Sequence, residues 1–371
     1  MGFKVVLVFN LFKKENWNKF ISGIYFLTFE MNLILLVLKK IFIAVFLFFL
    51  LISCSKNNEP IISFYYWKTI FKLSGTEKEV LKNNNVTKLY VRYFDVGLHP
   101  ETQQPIPVSP IRFLDKSNNW DIVPVIFIKN KVMMQPHSDL EDLAKKTVGL
   151  VEEINLKNNI VCQEIQIDCD WTLASKENYL KFIELFKKLS HKKLSATIRL
   201  HQVKYFKKTK IPNVDSGVLM YYNMGTIAPD SQNSVYERKI AERYLKSLKK
   251  YPLHLDFALP VYSWGVHIRN QKVIGLRSKL NIEELKKDKN FEYQSAVFFK
   301  IKKANYKNGI FYEENDVLKI EAVSSGDLKE MAQDLNDNSP HKPNEIIFYD
   351  LDEFNIKNYE KNIFKEVASY F

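Results

Sequence analysis

Glu164-Ile165-Gln166-Ile167-Asp168-Cys169-Asp170-Trp171-Thr172 alternates polar and apolar residues without a fault. A strand has period two, so Glu164, Gln166, Asp168, Asp170 and Thr172 share one face, and Ile165, Ile167, Cys169 and Trp171 the other. A sheet covered by helices on both sides turns apolar groups both ways, and a wholly polar face needs another setting. A barrel strand supplies it, with its outer face under helices and its inner face lining a polar site at the carboxyl end. For this stretch taken alone, an edge strand with one solvated face is the alternative. In a barrel, Asp168 and Asp170 are neighbouring carboxylates near a pocket mouth, their Cα atoms about 6.6 Å apart. Trp171 then packs outward under a helix.

Strand and helix patterns alternate on both sides of this stretch. Upstream, strands are expected at Ile61–Trp67, Lys88–Val96 and Asp121–Lys129. Helices are expected at Glu77–Lys82 and Asp139–Lys157, the second with Ser138 as N-cap. The proline-rich segment Pro100–Pro110 reads as a loop without regular structure. Downstream come a helix at Lys176–Leu189 and a strand at Leu194–Gln202 that sets Ser195, Thr197, Arg199 and His201 on one face. A strand at Gly217–Gly225, a helix at Glu237–Lys250 and a strand at Leu253–Trp264 follow. Residues 267–325 break the rhythm and read as a small α+β insertion, with a helix at Ile282–Lys287 and β-like runs at Gly309–Glu313 and Val317–Val323. The alternation resumes with a helix at Asp327–Leu335, a strand at Glu345–Leu351 and a helix at Lys357–Tyr370.

Eight strands alternating with helices give an α/β chain forming a single (β/α)8 TIM barrel over residues 61–371, with the insertion between strands seven and eight. A doubly wound open sheet is the main alternative, but its Gly-rich phosphate-binding turn is absent.

The chain of 371 residues is 46% hydrophobic and 14% aromatic, which excludes disorder and supports a large core. Its net charge of +12 comes from Lys spread along the chain, and no nucleic-acid-binding motif is present, so nucleic acid is not an expected partner. Residues 1–53 read as a signal region, with Met31 as an alternative start. Lys39-Lys40 precede the apolar run Ile41–Ile52, which ends in Leu51-Ile52-Ser53-Cys54. This order resembles a lipoprotein signal peptide and lipobox, with a retained transmembrane helix as the alternative. Cleavage before Cys54 would leave that thiol carrying lipid, residues 54–60 as a tether, and the protein on a cell membrane or outer membrane, facing periplasm or exterior. Cys162 and Cys169, roughly 20 Å apart along an extended strand, are expected to be free thiols. No Cys/His spacing suits a metal and no cofactor motif is present.

Three segments resemble the family 18 glycoside hydrolases, the chitinase and endo-N-acetylglucosaminidase family. Ile167-Asp168-Cys169-Asp170-Trp171-Thr172 resembles that family's strand-four Asp-x-Asp-x-Glu, Leu219–Gly225 its strand-six Met-x-Tyr-Asp, and Ala258–Gly265 its strand-seven Pro-x-Tyr-Gly, which precedes a small α+β insertion. The resemblance implies a TIM barrel acting on glycans. It also implies a substrate-assisted reaction steadied by the residues matching Asp170 and Tyr222. Two positions depart from the pattern. Thr172 stands where the family has its proton-donating Glu, and Asn223 where it has an Asp; a hydroxyl lacks the raised carboxyl pKa a glycosidic acid needs.

Two functions follow. In the first, a glycoside hydrolase-like lipoprotein uses Asp170 as acid and Asp168 as its partner. Arg199, His201, Tyr222 and Asn223 contact sugar hydroxyls, and Trp67, Tyr262 and Trp264 border the glycan. Glu101, Asp350 and Asp352 are further carboxyl candidates. In the second, the same barrel binds glycan without turnover. For Asp168 a buried support role between strands stays open, as does a hydrogen-bonded core role for His201.

Overall fold

The computed structural model describes residues 23, 38–42 and 59–371, apart from 118, 137, 138 and 296. Residues 38–42 are helical. The signal region, Cys54 and Ser138 otherwise lie outside the described residues, among which no helix is long and apolar enough to cross a membrane. The unit from Glu59 to Phe371 carries the main core.

Eight parallel strands build its barrel: β1 (Ile61–Tyr66), β2 (Lys88–Leu98), β3 (Asp121–Ile128), β4 (Glu164–Asp168), β5 (Lys193–Arg199), β6 (Ser216–Met220), β7 (Leu255–Pro260) and β8 (Glu345–Tyr349). Each pairs with the next, and β1 closes the ring by pairing with both β2 and β8. The alternation of β4 acts as the sequence requires. Ile165, Ile167 and Cys169 are buried, and the Trp171 ring lies stacked 5.1 Å from Tyr179 on the helix Lys176–Ser190. Cys162 and Cys169 are both free and buried.

On the inner face the polar side chains of β4 find partners in successive layers, because a buried polar group left unpaired costs too much to keep. Glu164 takes the Lys88 ammonium at 3.0 Å, and Lys88 also reaches Glu345 of β8 at 2.5 Å. Above them Gln166 accepts from the Tyr65 hydroxyl at 2.6 Å and donates to Ser195 at 3.3 Å. Asp168 follows, then Asp170. Where β6 passes β5 and β7 the backbone is crowded. A Cβ at Gly217 would lie 2.7 Å from the Leu255 side chain and 2.9 Å from that of Ile198, so a larger residue would force these side chains to shift.

Several elements differ from the expected ones. Pro105–Val108 is not loop but a strand antiparallel to the end of β2, pairing Gly97 with Ile106. An edge strand needs only alternate N–H groups, so prolines at 105 and 107 are tolerated. Asp139, rather than Ser138, caps the helix Leu140–Asn158, its carboxylate accepting from the N–H groups of Glu141 and Asp142. β5 stops at Arg199, and the chain turns into a short helix, Leu200–Lys204, which takes His201 off the inner face. The segment expected as strand seven splits after Pro260. The Val261 N–H bonds to the Tyr349 carbonyl at 2.7 Å, and a new strand, Ser263–Arg269, starts the insertion. The final helix is two short ones, Glu353–Ile356 and Ile363–Ala368. Asp352 caps the first, its carboxylate accepting from the Phe354 N–H.

The insertion is a five-stranded antiparallel sheet with its own apolar cluster around Phe299, Leu318 and Tyr312. Val317–Ala322 lies at its centre, and Ile310–Tyr312 pairs separately with Asn305–Lys307. Its polar centre is Asp316. This carboxylate accepts two N–H groups from Arg269, each at 2.8 Å, and one from the His267 ring at 2.7 Å. Arg277 donates to the other His267 nitrogen at 2.8 Å, which fixes a neutral imidazole.

Candidate functional site

Past the carboxyl ends of the strands the inner residues line a cavity of about 380 Å3. Trp67 arrives directly after β1, β4 ends at Asp168, and the chain just beyond it brings Asp170. Arg199 ends β5, Tyr222 and Asn223 follow β6, Tyr262 and Trp264 follow β7, and Tyr349, Asp350 and Asp352 come from the end of β8. The structure therefore gathers Asp168, Asp170, Arg199, Tyr222, Asn223, Trp67, Tyr262 and Trp264 around one space. His201 is not among them. Its residue surface is exposed on the short helix after β5, beside a neighbouring hollow that shares Asp170, Arg199, Tyr222 and Asn223, and partial desolvation of its ring with the nearby Arg199 charge lowers its imidazole pKa. Glu101 sits on an exposed loop away from the lining. Thr172 is exposed and off the lining as well, its N–H turned to the Ser175 hydroxyl at 2.9 Å.

The four carboxylates of the cavity have unlike surroundings. Asp168 is buried and accepts the Thr197 hydroxyl at 2.6 Å, and burial pushes its carboxyl up to about 6 against the pull of Arg199 and Thr197. One oxygen of the half-exposed Asp170 takes both Nε, at 2.5 Å, and Nη2 of Arg199. Asp350 accepts a single N–H from Asn355 at 2.8 Å, and burial, reinforced by the Asp352 charge, pushes its carboxyl up to about 6. Asp352 also feels burial, but Lys279 at 2.9 Å, the Phe354 N–H and Lys68 at 3.5 Å hold it below the ordinary carboxylate range.

Aromatic rings form the walls. Tyr222 and Tyr349 stack 5.6 Å apart, and Trp67 stands edge-on to Tyr349 at 5.4 Å, with the Arg92 guanidinium 5.9 Å from its own ring. Asn223, in the left-handed region at φ 53, accepts the Tyr262 hydroxyl at 2.5 Å. Its N–H bonds to the Val235 carbonyl, so the loop after β6 folds back on itself. The Trp264 indole donates to Glu321 at 2.8 Å; Glu321 also accepts the Ser234 hydroxyl and pairs with Lys319 at 2.6 Å. Lys319 in turn donates to the carbonyls of Ala228 and Gln232. The insertion is thereby tied to the loop after β6, and Trp264 is fixed at the rim.

Sequence reading missed Tyr349 and Asn355, and it named Asp350 and Asp352 without placing them. The available signal was Tyr349-Asp350-Leu351-Asp352 directly after an apolar strand. Among the described residues no group of three or more His, Cys, Asp or Glu is arranged to hold a metal ion.

Fold and site together define an α/β barrel with a carboxylate- and aromatic-lined mouth. No protein-family model matches the chain, and no curated protein matches it significantly. Among solved structures, the spore cortex-lytic enzyme SleL of Bacillus cereus agrees with a TM-score of 0.52 at 12% identity, over 84% of this chain and 74% of that one. A GH18 chitinase from Cycas revoluta in complex with (GlcNAc)4 gives 0.49 at 11% identity, over 83% and 98%. A class V chitinase from Nicotiana tobaccum gives 0.48 at 10%, over 84% and 98%. The chain shares the barrel fold of SleL, and the resemblance read from three sequence segments is met in structure as a likeness of fold.

Proposed function

We propose that this protein is a glycoside hydrolase-like barrel that binds and cleaves a glycan, held on a membrane by lipid at Cys54 and facing periplasm or exterior. The observation that carries the reading is the cavity itself. Rings of Trp67, Tyr262, Trp264 and Tyr349 border a space into which four carboxylates, Arg199 and two amides, Asn223 and Asn355, project. Sugars offer apolar ring faces and a dense set of hydroxyls, and a pocket of rings with convergent polar groups matches both. SleL, with the same fold, is described as a spore cortex-lytic enzyme. The second reading is a glycan-binding barrel without turnover, favoured by Thr172 at the position where the resembling family carries its acid.

Incubation with N-acetylglucosamine-containing and other oligosaccharides, reading release and binding together, tests the function. Release is expected, and Trp264→Ala is expected to weaken binding roughly five- to thirtyfold, by about 1–2 kcal/mol. Binding without release would select the second reading, and neither would leave a shared fold without shared function. For the anchor, the Cys54→Ala protein is expected to leave the membrane fraction; unchanged partitioning would overturn lipidation.

A further inference from the structure

We propose that hydrolysis here is carried by carboxyls on opposite walls of the barrel, Asp350 giving a proton to the glycosidic oxygen and Asp168 taking one from the attacking water. This rests on the hydrolase reading above and reassigns its acid. Of the four carboxylates in the cavity, Asp170 has an oxygen occupied by the Arg199 guanidinium, and Asp352 is bridged to Lys279 and Lys68. Neither is placed to hand on a proton. Asp350 lines the same cavity and makes no ion pair among the described residues, only the hydrogen bond from Asn355. Asp168 lies lower in the cavity, steadied by Thr197.

The ring order places these two groups. Going round the barrel from β8, the strand before Asp350, β4 is the fourth strand in either direction, through β7, β6 and β5 or through β1, β2 and β3. A sugar ring held between them would have an acid on one side and a base on the other, the arrangement that inverting hydrolysis requires. Burial, which raises both carboxyls to about 6, lets one be protonated while the other is ionised over a narrow pH range.

In the step, the bond from C1 to the glycosidic oxygen breaks, and its electron pair stays on that oxygen as it takes the Asp350 proton. Water oxygen bonds to C1, and the proton it sheds passes to the Asp168 carboxylate. Exchange with solvent restores both groups, and water is the only co-reactant.

The test uses the full chain with the oligosaccharide panel, reading binding, release, the anomer first released by NMR, and the pH profile. The expected results are an inverted anomer and a kcat/KM that falls on both sides of a maximum near pH 6. Asp350→Asn and Asp168→Asn should bind glycan within a few-fold of the parent but lose on the order of a hundredfold or more in kcat. Asp350→Asn should also lose the alkaline limb of the profile, which a merely structural role would leave in place. A retained anomer, an Asp350→Asn protein within threefold of the parent, or binding by the parent without release would each overturn the assignment. A parent that neither binds nor cleaves would instead overturn the glycan reading, and the assignment with it.

Discussion

Replacing Lys88 by Met is expected to lower the stability of the barrel by about 3–5 kcal/mol, read as a shift of the denaturant midpoint. Lys88 stands at the amino end of β2 with its ammonium enclosed between Glu164 of β4 and Glu345 of β8. Tyr90 and Ser63 also donate to Glu345, each at 3.1 Å. Removing the cation leaves two carboxylates in the barrel floor, of which, among the described residues, only Glu164 keeps another cation, Lys193 at 3.2 Å. The loss comes from that uncompensated charge more than from the value of the pairs themselves. Adding Glu164→Gln and Glu345→Gln to the same protein is therefore expected to restore much of the stability. Burial opposes the Lys88 charge, but Glu345 and Glu164 raise its pKa above the ordinary value. The contribution is thus fully present below about pH 10.4 and lost as pH rises through the folded value. A midpoint unchanged by Lys88→Met would show that the floor is hydrated and the network unimportant.

Asp316→Asn should destabilise the insertion. Despite its burial, the bonds from Arg269, His267 and the Glu313 N–H hold the Asp316 carboxyl at about 2. A folded value below the unfolded one, about 3.9, gives stability that is present above pH 4 and lost as pH falls toward 2; by linkage it amounts to about 2–3 kcal/mol. The amide keeps an acceptor but loses the charge that both Arg269 and the His267 N–H address. Hydrogen exchange is the suited measurement, because the loss should concentrate in Ser263–Arg269 and Val317–Ala322 while β1 to β8 stay protected. Uniform protection across the insertion in Asp316→Asn would contradict this account.

The barrel was legible because its information is periodic. Polar residues at every second position of β4 and β5 require an interior that is itself polar, and few folds offer one. What sequence could not supply was the path of the chain where periodicity ends. His201 continues the polar face of β5 on paper, yet β5 stops at Arg199 and the chain coils away. Asp170 and Asp350 look alike as carboxylates after strands, and only packing separates them. Arg199 comes to one of them from the neighbouring strand, and among the described residues no cation pairs directly with the other. The Pro105–Val108 strand was hidden for a related reason, since proline marks an edge as readily as a loop.

Ring closure at β1 has a consequence for how the chain is made. The hydrogen bond from Ser63 to Glu345 spans 282 residues, and the strand that receives β1 is the last one synthesised. Until Glu345–Tyr349 emerges, the growing sheet has two open edges and a Lys88 lacking one of its two carboxylate partners, a state rich in sites for wrong pairing. Contacts this distant in sequence make folding slow, whatever the final stability. The molecule thus depends on completion of its chain, and it spends its early life as a sheet that must be kept from its neighbours.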